Sequence, residues 1–481
     1  MNRRMILYIL AKMMGVEGVL LLLPAFVGLL YGEKSGACFL FPATILALIY
    51  IIFGIRKPNK TKIYAKEGMI IVASAWILWS MFGAIPFTLG GYIPNYLDAF
   101  FETVSGFTTT GSTILNDIES LSHCMHFWRC FTHWIGGMGV LVFVLFLTSL
   151  DKKNTMYLMR AEVPGPEKDK LVPKAMATAR ILYGMYFALT AVEIVLLLFG
   201  GMSPFDSIIH AFSTAGTGGF SNYANSIGQL DSAYIDGVIT VFMILFGINF
   251  NLFYLLLLRQ FKPVWKNEEL RTYLAIIATA IALITWNITS IYGNPLKAFR
   301  YAAFQVASII TTTGFSTADY MKWPTMSQTI IIILMIIGAC ASSTGGGIKV
   351  SRFLIVVKSI KKELKQMVHP KSVNLIRING KKMNPDIVQN VFVYLVAYAG
   401  IAGLSVLLVS IDDFDFATNL GSVMGTLNNI GPGLGVSGPA GNFAQFSPFS
   451  KLVFCMDMLI GRLEIFPFLM LFTSISWRKK F

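Results

Sequence analysis

Ten apolar stretches, each able to form a helix of about 20 residues that crosses a hydrocarbon core of roughly 30 Å, are spaced along the chain at 5–30, 37–55, 68–92, 127–150, 181–200, 234–258, 273–292, 328–357, 388–411 and 452–475. The last eight fall into four pairs. Between the members of each pair lies a segment too short to cross and too apolar for a free loop, and each ends in a Thr/Gly-rich or Asn/Gly-rich run. Such segments are expected to be re-entrant pore helices, because irregular backbone at membrane depth is tolerated where it lines a cavity.

Aligned on one glycine, the four segments superimpose without gaps: DAFFETVSGFTTTG at 98–111, DSIIHAFSTAGTGG at 206–219, YAAFQVASIITTTG at 301–314 and TNLGSVMGTLNNIG at 418–431. Six positions before the glycine stand Ser105, Ser213, Ser308 and Gly425, all small; nine before it stand Glu102, His210, Gln305 and Ser422, all polar. This match predicts an internal fourfold repeat around one pore. The fold expected is therefore all-α and membrane-integral. Two transmembrane helices at 1–60 precede four parallel units of helix, re-entrant loop and helix, at 61–151, 178–260, 270–358 and 388–481, with the second helix of the third unit broken.

Composition agrees with a membrane setting: 55% of 481 residues are hydrophobic, 13% are charged and the mean hydropathy is +0.64. The net charge of +14 would hint at nucleic acid in another context. Most Lys and Arg, however, fall at 1–4, 55–67, 151–180, 259–272, 349–386 and 476–481, alternate sides of the ten-span topology. The positive-inside rule puts those sides, and both termini, in the cytoplasm of a multi-pass inner-membrane protein. Lys12 and Glu17, with no small-residue cleavage site, argue that the first stretch is a spanning helix and not a signal peptide. Cys38, Cys124, Cys130, Cys340 and Cys455 have no repeated spacing and imply no disulfide framework.

The loops suit a dehydrated monovalent cation. Oxygens must replace its lost water, and rings of backbone carbonyls supply them. Aiming several carbonyls one way requires left-handed dihedrals, which cost glycine little; hence Gly111, Gly219, Gly314 and Gly431. The expected filter comprises Thr109, Thr110 and Gly111, then Thr217, Gly218 and Gly219, then Thr312, Thr313 and Gly314, and finally Asn429, Ile430 and Gly431. Thr109, Thr217 and Thr312 add hydroxyl oxygens at the inner end, where Asn429 offers an amide oxygen. Each short helix turns its partly negative C-terminus toward the cation path. The polar ring of Glu102, His210, Gln305 and Ser422 is expected to hydrogen-bond behind the filter, and no cofactor is called for.

With these loops in hand, the chain resembles the Trk/Ktr/HKT superfamily of cation-uptake proteins, on its Trk-type (TrkH-like) branch, from about residue 60 onward. The resemblance rests on SGFTTTGS at 105–112, HAFSTAGTGGFS at 210–221, TTTGFS at 311–316, NNIGPG at 428–433, SSTGGGIKVSR at 342–352 and GRLEIF at 461–466, together with the two extra N-terminal helices. It implies potassium selectivity, since Gly111 is glycine as in potassium-selective members. It also implies a homodimer, and cytosolic nucleotide-binding (TrkA-like) regulatory subunits on the basic face around 358–386. One departure is TAGTGGF, where members more often carry a bulkier residue at Ala215 and alanine at Gly216.

Below the third filter loop, 340–349 is rich in Ser, Thr and Gly and breaks the helix inside the membrane. It lacks the spacing and strand context of a phosphate loop. Gly345, Gly346 and Gly347 form a hinge, with Lys349 and Arg352 at its cytoplasmic edge, and the resemblance implies a gate lying across the path. Arg462, inside the last span, is costly unless paired or facing a polar cavity. Glu464 and Asp457 are its candidate partners, and the resemblance gives it the role of obstructing the closed pore.

Two other readings stay open. A coupled symporter would also use broken helices and intramembrane acids such as Glu193 or Asp457, although parallel repeats favour a channel-like pore. His126, Cys130 and His133, at i, i+4 and i+7 on one helix face, have metal-ligand character, against which packing is the plainer role. No nucleophile, base and orienting acid form a set, so an enzyme is not expected.

Overall fold

A computed structural model of the chain describes residues 2–60, 63–139, 175–372 and 374–472. Most of the described residues are helical; their strands are the two-residue pair Arg377–Ile378 and Lys381–Lys382. The all-α membrane architecture expected from the hydropathy pattern is the one the chain adopts.

Four helices, Ala65–Leu89, Ala175–Phe199, Glu268–Tyr292 and Pro385–Val409, are each 25 residues long. At 1.5 Å per residue each is roughly 37 Å, enough to cross a bilayer at a tilt. Each is followed by a short helix: Tyr96–Phe107, Pro204–Gly216, Pro295–Ile310 and Phe416–Leu427. The short helices start where a polar side chain caps exposed N–H groups. Asn95 accepts from the Leu97 amide at 2.9 Å, Ser203 from Asp206 at 3.1 Å, Asn294 from Leu296 at 2.9 Å and Asp415 from Thr418 at 3.2 Å. Pro204 and Pro295 add the proline favoured in a first turn.

A third helix completes each unit: His123–Gly137, Ala233–Phe246, Thr325–Ile337 and Pro448–Arg462. Among the described residues, six of the ten expected spans are helices of crossing length. Besides the third unit's second helix, those of the second and fourth units are interrupted. In the second unit the chain turns by 93° between Ala233–Phe246 and Phe250–Leu257. In the fourth, Glu464 and Ile465 adopt left-handed φ of 56° and 66° before Phe466–Phe472. The first unit's expected continuation from 140 to 150 lies outside the described residues. The second-unit break sits at Gly247, where a Cβ would overlap the Tyr273 hydroxyl and stand 2.9 Å from Cγ2 of Thr311. Its lost helical bonds are taken over from outside: the Cys340 amide donates to the Gly247 carbonyl at 3.1 Å, and the Phe250 amide to the Ser342 carbonyl at 3.1 Å.

The N-terminal spans Arg3–Leu30 and Lys34–Gly54 pack against the first unit. Between them Glu33 accepts from the amides of His123 and Cys124 at 2.8 and 3.0 Å, capping the helix that starts there. The main core lies behind the first short helix, where Trp79, Phe107 and Trp128 meet edge to face and the Trp128 indole donates to the Gly83 carbonyl at 2.9 Å. The basic stretch from 358 onward is not an open loop. Helix Val350–Val368 is followed by the strand pair, and Ile355, Met383 and Val391 form a small core beneath it. Glu268 ties this region down through Lys358 and the Asn379 amide.

Candidate functional site

Each short helix ends in the same backbone figure. The amides of Thr109, Thr217, Thr312 and Asn429 donate to the carbonyl three residues back, at 2.9 to 3.1 Å; those of Thr110, Gly218, Thr313 and Ile430 donate five back, at 2.8 to 2.9 Å. These paired bonds are a Schellman closure, which needs a left-handed residue at its centre. Thr109, Thr217, Thr312 and Asn429 supply it, with φ of 56°, 55°, 59° and 55°. Gly111, Gly219, Gly314 and Gly431 follow, also left-handed at 81°, 79°, 84° and 99°. The sequence expectation placed left-handed backbone only at the glycines; the threonines and asparagine share it.

The four loops meet. A Cβ on Gly111 would overlap the carbonyl oxygen of Gly218, one on Gly219 that of Thr313, and one on Gly314 that of Ile430; one on Gly431 would lie 2.7 Å from that of Thr110. The contacts run from the first loop to the second, third and fourth and back to the first, so four glycines and four carbonyls interleave in a closed ring. No side chain fits at those glycines without displacing a neighbouring backbone. All four also line one cavity together with Ser112, Ser221, Ser316 and Pro432.

Behind this ring, the polar residues nine before each glycine tie their helix to the chain leaving the loop. Glu102 accepts from Thr113 Oγ1 and the Ile114 amide, both at 3.0 Å. His210 Nε2 lies 2.9 Å from Ser221 Oγ, Gln305 donates to the Ala318 carbonyl at 2.8 Å, and Ser422 and Ser437 hydroxyls are 2.7 Å apart.

Beneath the ring lies the excursion 338–349. The amides of Ile348 and Lys349 donate to the Ile336 and Ile337 carbonyls at 3.2 and 2.9 Å, so the chain leaves the helix and returns to the same turn. Gly338 and Gly347 abut at its throat, too close for a Cβ on either. Lys349, buried and at φ 83°, donates from Nζ to the Gly345 carbonyl. The three glycines dock on the third and fourth loops. Gly345 packs on the Thr311 carbonyl, the Gly346 amide donates to Thr312 Oγ1 at 2.6 Å, and the Gly347 amide donates to the Asn428 carbonyl at 3.1 Å.

Arg462 reaches the same level from the fourth unit. Its guanidinium donates to Thr109 Oγ1 at 3.2 Å, to the Thr344 carbonyl at 2.9 Å, and to the carbonyls of Gly136 and Gly137 where the first unit's helix ends. Of the carboxylates proposed from the sequence as its partners, Glu464 lies 2.8 Å from Arg352, and Asp457 accepts from Ser405 at 2.7 Å.

Sequence reasoning missed Arg129, and weighed His133 only as a metal ligand or as packing. Arg129 forms a buried pair with Glu102 at 2.8 Å. His133 lies 2.8 Å from the Gly106 carbonyl through Nδ1, while its Nε2 takes the Phe220 amide at 3.3 Å. The signal for Arg129 was present, since a cation within a predicted span is the same anomaly that singled out Arg462. His133 is thereby a loop brace, and among the described residues no three His, Cys, Asp or Glu side chains are grouped to hold a metal.

Residues 43–479 match the family model described as TrkH, cation transport protein. The Trk system potassium uptake protein TrkH of Salmonella typhimurium is 38% identical over 467 residues, 95% of this chain and 96% of that protein. TrkG of Escherichia coli is 33% identical over 95% of this chain and 94% of its own length. The crystal structure of the potassium transporter TrkH from Vibrio parahaemolyticus superimposes with a TM-score of 0.90 at 32% identity, covering 99% of this chain and all of that one.

Proposed function

Since this chain belongs to the TrkH family of cation transport proteins, we propose that it is a multi-pass membrane protein that takes up potassium through one channel-like pore in the cytoplasmic membrane. Residues 109–111, 217–219, 312–314 and 429–431 form its selectivity filter. The observation that carries this reading is the closed ring of glycines and carbonyls contributed by four parts of one chain. Such a ring presents oxygens at one level to an ion that has shed its water.

The excursion at 338–349 and Arg462 form the gate in its closed position. With the gate docked, the Thr109 hydroxyl accepts from Arg462 and the Thr312 hydroxyl from Gly346, so two of the four inner side chains already serve donors. A fixed guanidinium about 4 Å from a cation costs roughly 4 kcal/mol at an effective dielectric of about 20, a drop of about three decades in occupancy. Opening withdraws the excursion and the guanidinium together. We assign the cytosolic surface around Val350–Val368 and the strand pair to nucleotide-binding regulatory subunits of the TrkA type, with the membrane chain working as a homodimer and both termini in the cytoplasm.

Tracer flux into proteoliposomes holding the full chain tests the assignment. Gly111→Ser must push against the Gly218 carbonyl, so discrimination of potassium over sodium should fall by about an order of magnitude or more while the protein still folds. Retained selectivity overturns the filter assignment.

A further inference from the structure

Neighbouring loops are stitched together just past the glycines; three of the four seams are joined there by bonds between uncharged groups, while the ion pairs Arg300–Asp236 and Lys451–Asp98 join units farther back, toward the starts of the short helices. The Gly228 amide donates to the Ser316 carbonyl at 3.0 Å between loops two and three. The Tyr320 hydroxyl donates to the Gly433 carbonyl at 2.6 Å between loops three and four. Between loops four and one, Ser112 Oγ donates to the Gly431 carbonyl at 3.1 Å and the Phe443 amide to the Thr113 carbonyl at 2.8 Å.

The seam between loops one and two is built from charge. Arg129 Nε donates to Glu102 Oε1 at 2.8 Å, and the two side chains are 1% and 0% exposed. The same carboxylate holds Thr113 and Ile114, two and three residues past Gly111. The same guanidinium donates through Nη1 to the Ser221 carbonyl at 3.1 Å and lies 4.0 Å over the Phe220 ring, one and two residues past Gly219. One ion pair therefore grips the outgoing chain of both loops, and a buried charge cannot drift from its partner without leaving an uncompensated ion in low dielectric. In the other three units the equivalent brace is neutral: His210 with Ser221, Gln305 with Ala318, and Ser422 with Ser437.

We infer that Arg129, anchored by Glu102, is a positioning residue for ion specificity: it fixes the separation of the first and second filter loops and so denies sodium the shorter oxygen distances it needs. The inference rests on the filter reading above. The pair touches no ion; it acts through Thr113, Ile114, Phe220 and Ser221. Because the exit strands of both loops hang on it, loosening it lets that quarter of the ring contract around a smaller cation.

Potassium and sodium tracer uptake, measured in proteoliposomes holding the full chain, tests this with Glu102→Gln, Arg129→Lys, their double variant and Thr113→Val, run beside Gly111→Ser. The ratio of potassium to sodium uptake should fall roughly fivefold in each single variant of the pair and no further in the double variant, as expected of residues acting as one unit. Thr113→Val keeps the ion pair and removes only the hydroxyl bonds, so it should give a smaller fall and remains informative if the buried-charge variants fail to fold. A merely structural role would lower folded yield and scale both fluxes together. An unchanged ratio in the folded variants, or losses that add in the double variant, overturns the inference. If Gly111→Ser shifts the ratio and these do not, this inference alone fails; if none shifts it, the filter register itself is wrong.

Discussion

Threonine is a poor occupant of left-handed backbone, since a β-branched side chain crowds the neighbouring peptide there, yet three of the four inner positions of the proposed filter are threonine and left-handed. Strain of about 1 to 3 kcal/mol per residue persists only where the surroundings over-determine it and the side chain is needed. Glycine would relieve it and still close the Schellman turn, so the hydroxyl is what the position retains. Thr217→Gly separates the two effects, because the Thr217 hydroxyl bonds only locally, to the Gly216 carbonyl at 2.6 Å. Its thermal unfolding midpoint should hold or rise, while potassium uptake and its preference over sodium fall; full transport by the variant would show that the hydroxyl is dispensable. Arg462 is the complementary case, a cation whose described bonds go to carbonyls and to Thr109. Arg462→Ala should raise basal potassium flux in proteoliposomes without any regulatory subunit, and unchanged flux would remove the arginine from the gate.

At the scale of elements, the excursion proposed as a gate is held by its neighbours more than by itself. The Ala341 amide donates to Glu269 Oε1 at 2.7 Å, the Thr344 hydroxyl to the Phe246 carbonyl at 3.1 Å, and the Cys340 amide to the Gly247 carbonyl at 3.1 Å. Thus the break in the second unit supplies the acceptors that the third unit's excursion needs. Glu269→Ala leaves the buried Ala341 amide unpaired, at a cost of about 1 to 3 kcal/mol to the docked state, and basal flux should rise severalfold; a variant as tight as the parent would place the docking energy elsewhere. The same interdependence explains what the sequence could reveal. The short helices were legible because their signals are local: a capping Asn, Ser or Asp, a proline, and a glycine at a fixed offset. The excursion at 338–349 was legible because Ser, Thr and Gly accumulate within one stretch. The break at Gly247 was passed over although FGINFNLFY carries a capping residue, Asn249, which accepts from the Asn251 amide at 2.9 Å; a single glycine in a membrane helix is commonplace. Nothing local marks that Tyr273, Cys340 and Ser342 will take its place in the hydrogen bonding. Arg129 itself was visible as a cation inside a predicted span, but its partners lie 27 and 92 positions away and nothing local names them.

For the whole molecule, the ring makes the four units depend on one another, because each loop's glycine leaves room for a carbonyl of the next. A cation seated there would join all four, replacing mutual repulsion of carbonyl dipoles with shared attraction to one charge. Binding to the folded state alone stabilises it by about 2.7 kcal/mol when the ion stands at a hundred times its dissociation constant. The thermal midpoint of the detergent-purified chain should therefore climb by a few degrees on replacing choline chloride with potassium chloride at constant ionic strength, and by less with sodium chloride. Gly111→Ser should shrink the difference between potassium and sodium, because the serine side chain displaces the Gly218 carbonyl that helps define the ring. Arg462→Ala should enlarge the response to potassium, since it returns the Thr109 hydroxyl to the ion and removes the charge beneath it. Equal midpoints in potassium and choline would mean that no ion bridges the four loops, and the ring would then be a packing device with no role in selection.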